Sequence, residues 1–322
     1  MFDWKTFARP IIALAPMSGY TDSAFRQLVK SLAPKVVVFS EFVSSDALHY
    51  NSKKTRQMLQ FSKREQPFIA QIFGKRPPHF AEAAKVVESL GAAGVDLNMG
   101  CPARKVVNSD HGSALLKDPQ LASEIIAATV KAVKIPVSVK MRLGVNDSQG
   151  LLGFAQMVES SGAKLLTIHG RTAKQMYTGE ADYEPIYQVK EKLQIPVLGN
   201  GDIDSVEKFQ EKLGNLDGLM VGRATFGNPW LMREIANSVS GKAARTPRSL
   251  KAKLPVVLKH CQLNIKTKGE ERGMLEMRKY LANYVKGEAG AKKLRAQLVR
   301  VEKFEDAKEI LRTFLGRSQK GK

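Results

Sequence analysis

The sequence predicts an α/β protein: a (β/α)8 TIM barrel followed by a small C-terminal all-α helical bundle. Three observations point there. Eight short apolar runs alternate with helix-length segments through the first 230 residues, the pattern of a parallel barrel. Beyond them no strand signal recurs. The charge also changes character: residues 242–322 hold 22 Lys and Arg against 8 Asp and Glu, so they carry +14 of the net +20. A chain of 322 residues has room for one large barrel and a small appendage.

The apolar runs, in order, are Ile11–Met17, Val36–Phe42, Phe68–Gly74, Val95–Gly100, Val137–Arg142, Leu165–Gly170, Val197–Asp202 and Gly218–Arg223. Between the first two, Thr21, Asp22 and Ser23 open a helix whose apolar side is Phe25, Leu28, Val29 and Leu32. Asp118 is an N-cap followed by Pro119 at the first helical position, with Leu121, Ile125, Thr129, Ala132 and Val133 along one face. The small, polar and basic stretch Asn237–Ser249 reads as a linker. Helices are expected over Leu254–Ile265, Met274–Val285, Ala291–Val301 and Asp306–Leu315. The expected organisation is a catalytic barrel over 1–240, a linker over 241–249, a basic helical domain over 250–316 and a disordered basic tail over 317–322.

Composition narrows the function classes. Hydrophobic residues at 43% and charged residues at 25% exclude a disordered or fibrous chain. No apolar run approaches the ~20 residues that span a bilayer, and Ile11–Met17 is too short for a signal peptide. Cys101 and Cys261 cannot build a disulfide framework, so a reducing, cytoplasmic setting is expected. Five His and two Cys show no metal-ligand spacing, and no metal is expected. The positive excess calls for a polyanion, and nucleic acid is favoured over a membrane surface because no basic face is paired with a wide Trp/Phe/Leu face.

Side chains alternate along a strand, so parity decides what faces the barrel axis. In Val137–Arg142 the apolar odd positions cover the outer helices, and Ser138, Lys140 and Arg142 point inward. The same reading turns Gln71, Asn98, His169, Asn200 and Asp202 inward, toward the C-terminal mouth where barrel enzymes build their sites. Gly199-Asn200-Gly201-Asp202 and Gly222-Arg223 follow the seventh and eighth runs, a recurrent phosphate site in this fold. A phosphate-bearing cofactor is therefore expected. Cys101 lies just past the fourth run, and its thiol, largely protonated at neutral pH, suits a general acid. Its other reading is a buried small hydrophobe.

Together these motifs resemble one family. Ala15-Pro16-Met17-Ser18-Gly19-Tyr20-Thr21-Asp22, Gln71-Ile72-Phe73-Gly74, Asp96-Leu97-Asn98-Met99-Gly100-Cys101-Pro102, Val139-Lys140-Met141-Arg142, Ile168-His169-Gly170-Arg171, Gly199-Asn200-Gly201-Asp202 and Val221-Gly222-Arg223-Ala224 resemble the tRNA-dihydrouridine synthases, most closely the bacterial B-type branch. The resemblance extends to the tail, through Met277-Arg278-Lys279 and Lys286–Ala291 with Arg295. It implies a flavoprotein that uses FMN and NADPH to reduce the C5–C6 bond of a uridine in the D loop of tRNA; a monomer is expected. By the same resemblance Pro16, Met17 and Ser18 line the flavin ring, Gln71, Lys140 and His169 contact it, and Asn200, Gly201, Asp202, Gly222 and Arg223 hold its phosphate. Cys101 then protonates C5, while Asn98, Lys140 and Arg142 orient the uracil. One stretch departs from the family pattern: Asn108–Gly112 stands where small residues precede Ser-Ala-Leu, and its His111 is expected to be solvated.

Three other readings of the residues stand beside this one. An FMN-dependent barrel reductase of a small-molecule alkene leaves the basic tail without a purpose. A lyase would use Lys140 as a Schiff base. A non-catalytic RNA-binding protein would leave the mouth residues nothing to hold.

Overall fold

The computed structural model describes residues 2–107, 109–243 and 245–320. Among these residues nine parallel strands form in chain order: β1 (Ile11–Leu14), β2 (Val37–Phe39), β3 (Val43–Ser44), β4 (Phe68–Phe73), β5 (Gly94–Met99), β6 (Val137–Arg142), β7 (Leu165–His169), β8 (Val197–Asn200) and β9 (Gly218–Val221). Each pairs with its predecessor from β4 to β9. The pairings β9–β1, β1–β2 and β2–β4 close the ring, so eight strands make the barrel. The two-residue β3 lies beside the far end of β4, with Val43 opposite Ile72.

Every expected apolar run contains a barrel strand. The run Val36–Phe42 stops pairing early, after Phe39. Ser40 ends it: its backbone N–H donates to the Ile69 carbonyl, and its hydroxyl accepts from Gln71 N at 2.9 Å.

The helices are α1 (Ser23–Leu32), α2 (Ser45–His49), α3 (Lys53–Met58), α4 (Pro77–Ser89), α5 (Arg104–Val107), α6 (Pro119–Ala132), α7 (Leu151–Ser160), α8 (Glu184–Lys192) and α9 (Val206–Leu213). They continue with α10 (Trp230–Val239), α11 (Leu250–Lys268), α12 (Glu270–Tyr284), α13 (Ala291–Leu298) and α14 (Phe304–Lys320). Asp118 caps α6 as its sequence suggests, accepting from Leu121 N at 3.0 Å, with Pro119 at the first turn. The buried face of α6 is rotated from the expected one. It consists of Ala122, Ile125, Ile126 and Thr129, and leaves Leu121, Ala132 and Val133 only half-buried. The shift is under one turn, within what a five-position pattern can resolve.

The chain divides into two compact units, one comprising residues up to Asp22 with Lys35–Gly222, the other Ser23–Pro34 with Arg223 onward. In the second unit α1 packs on α10 and α11, and α11 pairs with α12. Phe25 of α1 stacks on Tyr280 of α12 with centroids 5.6 Å apart, and His260 of α11 meets the same ring edge-on at 4.5 Å. These rings lie within the broader packing of α1 on α10 and α11. In α14 the helix runs on to Lys320, into the stretch expected as a tail; residues 321 and 322 lie outside the described set.

The barrel interior has two layers. Its floor is apolar, built from Ile11, Ala13, Val37, Phe39, Ile69, Leu165, Leu198 and Met220. The N-terminal segment seals it: Trp4, fully buried, stacks on Phe39 at 6.4 Å, and Phe2 and Phe7 pack against this group. Burying such a ring removes a large apolar area from water, so Trp4→Ala is expected to cost about 3–5 kcal/mol. Chemical denaturation of the full chain checks this; an unchanged midpoint would mean the plug carries no stability.

Candidate active site

Above the floor the inward positions turn polar. Register sets the neighbours: Gln71 is opposite Asp96, Asn98 opposite Lys140, and Arg142, His169 and Asn200 follow one another across β6, β7 and β8. Parity is what brings them together, since each is an even or odd member of its own alternating strand. Gln71, Asn98, His169 and Asn200 are buried, while Lys140 and Cys101 are half-buried at the mouth.

One chain of hydrogen bonds runs through this layer. Gln71 Nε2 donates to Asp96 Oδ2 at 2.7 Å, and Asn98 Nδ2 donates to Gln71 Oε1 at 2.9 Å. Asn98 Oδ1 then accepts from the backbone N–H of Gly100 at 3.1 Å and of Cys101 at 2.9 Å. The Cys101 carbonyl accepts from Ser113 N at 3.1 Å. Gly112 reaches this turn with φ +61°, where a Cβ would sit 2.8 Å from that same carbonyl oxygen. The cysteine is thus held through its backbone on both sides. Burial pushes the Cys101 thiol up despite the nearby Arg142 and Lys140 cations, which keeps its proton on.

Lys140 Nζ donates to Asn200 Oδ1 at 2.9 Å, and Asn200 Nδ2 donates to the Met220 carbonyl at 2.7 Å. Burial, with Arg142 adding to it, lowers the Lys140 ammonium to about 8. Arg142 is locked in place: Nε donates to Gly100 O at 2.9 Å, and Nη1 to Thr172 O and Met176 O at 2.8 and 2.7 Å. Its guanidinium lies over the exposed Tyr177 ring, 5.4 Å from the centroid.

Asp202 turns its carboxylate back into the protein. It accepts from Arg171 Nη2 at 2.7 Å and Ala181 N at 2.8 Å, which organises the loop after β8. Gly201 has φ +123°, and a Cβ there would press on Ala181 and His169 at 2.7 and 2.9 Å. At Gly222, in contrast, a Cβ would meet only Ala15 and Met17, both at 3.6 Å, an ordinary contact distance. Pro16 and Met17 are half-buried and Ser18 exposed at the end of β1. Arg223 is exposed and opens a short 3-10 helix in the second unit.

Sequence reasoning missed Asp96, which shares the parity of Asn98 two residues on and is fully buried between Ser138 and Gln71. It missed the Arg171–Asp202 pair as well, whose members come from separate loops. His111 is corrected: it is half-buried, its ring edge-on to Phe73 at 5.7 Å, and burial lowers its basicity. Asn108 lies outside the described residues. Among the described residues no group of His, Cys, Asp or Glu could hold a metal ion, and no helix is long and apolar enough to cross a membrane.

Burial raises Asp96 to about 6, above the Ser138 and Gln71 hydrogen bonds that oppose it. A carboxyl with a raised folded-state value is destabilised as it ionises, so stability should fall as pH rises between about 4 and 6, by roughly 3 kcal/mol from this group. Asp96→Asn removes that proton and is expected to abolish this fall. Urea titrations across the window check it; an unchanged pH slope in the variant would contradict the assignment.

A family model described as Dihydrouridine synthase (Dus) matches residues 13–319. The chain is 43% identical over 280 residues to a "Probable tRNA-dihydrouridine synthase" of Rickettsia bellii, covering 86% of each chain. It is 40% identical over 311 residues to "tRNA-dihydrouridine synthase B" of Pseudomonas aeruginosa, covering 96% of this chain and 93% of that one. Among solved structures, the fold is similar to histamine dehydrogenase from Rhizobium sp. 4-9, with TM-score 0.56 and 14% identity over 78% of this chain and 48% of that chain. It is also similar to the old yellow enzyme homologue of Zymomonas mobilis, with TM-score 0.54 and 13% identity over 76% and 93%. These two likenesses concern the barrel architecture alone.

Proposed function

We propose that this chain, which belongs to the dihydrouridine synthase family, reduces the C5–C6 bond of a uridine in the D loop of tRNA in the cytoplasm, with FMN as cofactor and NADPH as reductant. The observation that carries the reading is Cys101, fixed by its backbone beside the inward polar ring with its thiol held protonated.

The residues suit a flavin. Lys140 uses one of its three ammonium donors on Asn200, which leaves cationic donors at the mouth. The space beside Gly222, where a Cβ would make only ordinary contacts, suits a phosphate. Pro16, Met17 and Ser18 would line the ring system, with Gln71, Lys140 and His169 at its polar edge. Asn200, Gly201, Asp202, Gly222 and Arg223 would hold the ribityl phosphate, Asp202 through its backbone, because its carboxylate is committed to Arg171 and Ala181. The chemistry FMN would supply there is a hydride for uracil C6, with NADPH as the source of the electron pair.

Cys101 gives its proton to C5 as C6 gains hydride, and the thiolate is reprotonated by solvent. Lys140 is the cation that would stabilise the negative charge developing on the uracil carbonyl. Asn98 and Arg142 act on the substrate side largely through the loop they clamp, since Arg142 spends its Nε and Nη1 on carbonyls. A monomer suffices, because each of these groups comes from one chain. Cys101→Ala is expected to retain bound flavin and NADPH oxidation yet form no dihydrouridine in tRNA. Mass mapping of the product checks this, and unchanged product would eliminate the acid role.

The helical unit supplies the charge an RNA needs. On α13, Leu294 and Leu298 face inward, while Lys292, Lys293 and Arg295 are exposed. Phosphate neutralisation releases counterions, so tRNA affinity should fall steeply with salt. Replacing all three cations by Ala is expected to weaken binding ~10-fold at moderate salt and flatten the salt dependence. Affinity measured across a salt series decides; equal slopes for the variant and the unaltered chain would remove α13 from the interface.

A further inference from the structure

We propose that Asp96 is a positioning residue for the reaction: through Gln71 and Asn98 it fixes the amide polarity that holds the Cys101 loop in register. The proposal rests on reading Cys101 as the proton donor.

A carboxylate only accepts, and Asp96 accepts at both oxygens, from Ser138 Oγ at 2.6 Å on Oδ1 and from Gln71 Nε2 at 2.7 Å on Oδ2. Gln71 must therefore turn its NH2 toward Asp96 and its oxygen toward Asn98. Asn98 in turn must give its NH2 to Gln71 and its oxygen to the loop. At the far end the backbone N–H groups of Gly100 and Cys101 can only donate, and they demand that same oxygen. Two ends that can each play only one role leave a single polarity for both amides between them.

Without the carboxylate, the polarity of Gln71 is fixed from the Asn98 end alone, and its NH2 has no acceptor to reward that orientation. Its flipped state would set NH2 against NH2 at Asn98, and Asn98 could answer only by releasing the loop. Arg142 Nε still holds the Gly100 carbonyl, but among the described residues no group other than Asn98 accepts from the Gly100 and Cys101 N–H groups. The same chain fixes what Gln71 can offer the mouth. With its oxygen facing Asn98 and one N–H on Asp96, Gln71 has a donor left. Asp96 is itself far from the reacting atoms in bonding terms, three hydrogen bonds from Cys101. Asparagine at 96 can keep the polarity, accepting from Gln71 with its oxygen and donating its NH2 to the Ser138 hydroxyl, whereas leucine cannot.

The test compares Asp96→Leu with Asp96→Asn in the full-length protein and has two readouts besides turnover. In Asp96→Leu, hydrogen exchange at the Gly100 and Cys101 amides is expected to rise ~10-fold or more, because those N–H groups open to water. The rate of Cys101 alkylation by iodoacetamide should change at least ~3-fold, and kcat for dihydrouridine formation should fall ~100-fold with KM for tRNA within ~3-fold. Asp96→Asn should stay within ~3-fold of the unaltered chain on all four. Unchanged amide exchange in Asp96→Leu, or equal losses in both variants, would overturn the proposal. If Asp96→Leu does not fold, Gln71→Leu replaces it: cutting the link between the carboxylate and Asn98 should raise exchange at the same two amides, and no rise would overturn the proposal. Failure of the functional reading looks different. An unaltered chain inert on tRNA, with amides that still loosen in Asp96→Leu, would sink the reaction and keep the relay.

Discussion

The hydrogen bonds from the Gly100 and Cys101 amides to Asn98 Oδ1 are where the rest of the structure converges. They join a rigid strand to the loop that carries the thiol, and they cross from the barrel interior to its mouth. A loop alone could hold Cys101 in many conformations; anchored to β5 on one side and to Ser113 on the other, it is held near one. The polar layer that supplies this anchor sits on an apolar floor sealed by Trp4, so its hydrogen bonds work in a medium that competes weakly with them.

That layer is costly to keep. Asp96 is a carboxylate with no exposed surface, and Lys140 carries its charge half out of water with Arg142 nearby to oppose it. Neither placement favours stability by itself. Within the barrel the two charges attract one another, and the hydrogen bonds from Ser138 and Gln71 offset part of the desolvation of Asp96. An all-apolar interior would fold as well or better, but it could not direct amide oxygens at a loop or leave a cation facing the mouth. The Arg171–Asp202 pair follows the same logic in the loop after β8, where a charge is spent on orienting backbone.

The barrel was legible because strands and helices obey different periods, and a strand buried on both faces writes a continuous apolar run. Val137–Arg142 was read with its bounds as observed and its inward face as well, since Ser138, Lys140 and Arg142 alternate with apolar neighbours. Legibility fell where the cause was not local. The early end of β2 depends on Ser40 meeting Gln71, a partner 31 positions away. The half-burial of His111 depends on Phe73. Asp96 carried the right parity but no mark of its partners. The placement of α1 with the helical unit comes from its packing on α10 and α11, with Phe25 meeting rings more than 230 positions on, which no periodicity reveals. The N-terminal aromatic plug leaves no signal in the sequence because Phe2, Trp4 and Phe7 do not form an element.

The functional account stands or falls on the RNA. Position-resolved mass spectrometry of tRNA from cells that lack this chain, beside cells that carry it, reads the two hydrogens that mark 5,6-dihydrouridine. The account requires a D-loop uridine to lose that mark when the chain is absent and to regain it when the chain is restored. If the dihydrouridine content is the same at every position with and without the chain, the barrel performs other chemistry.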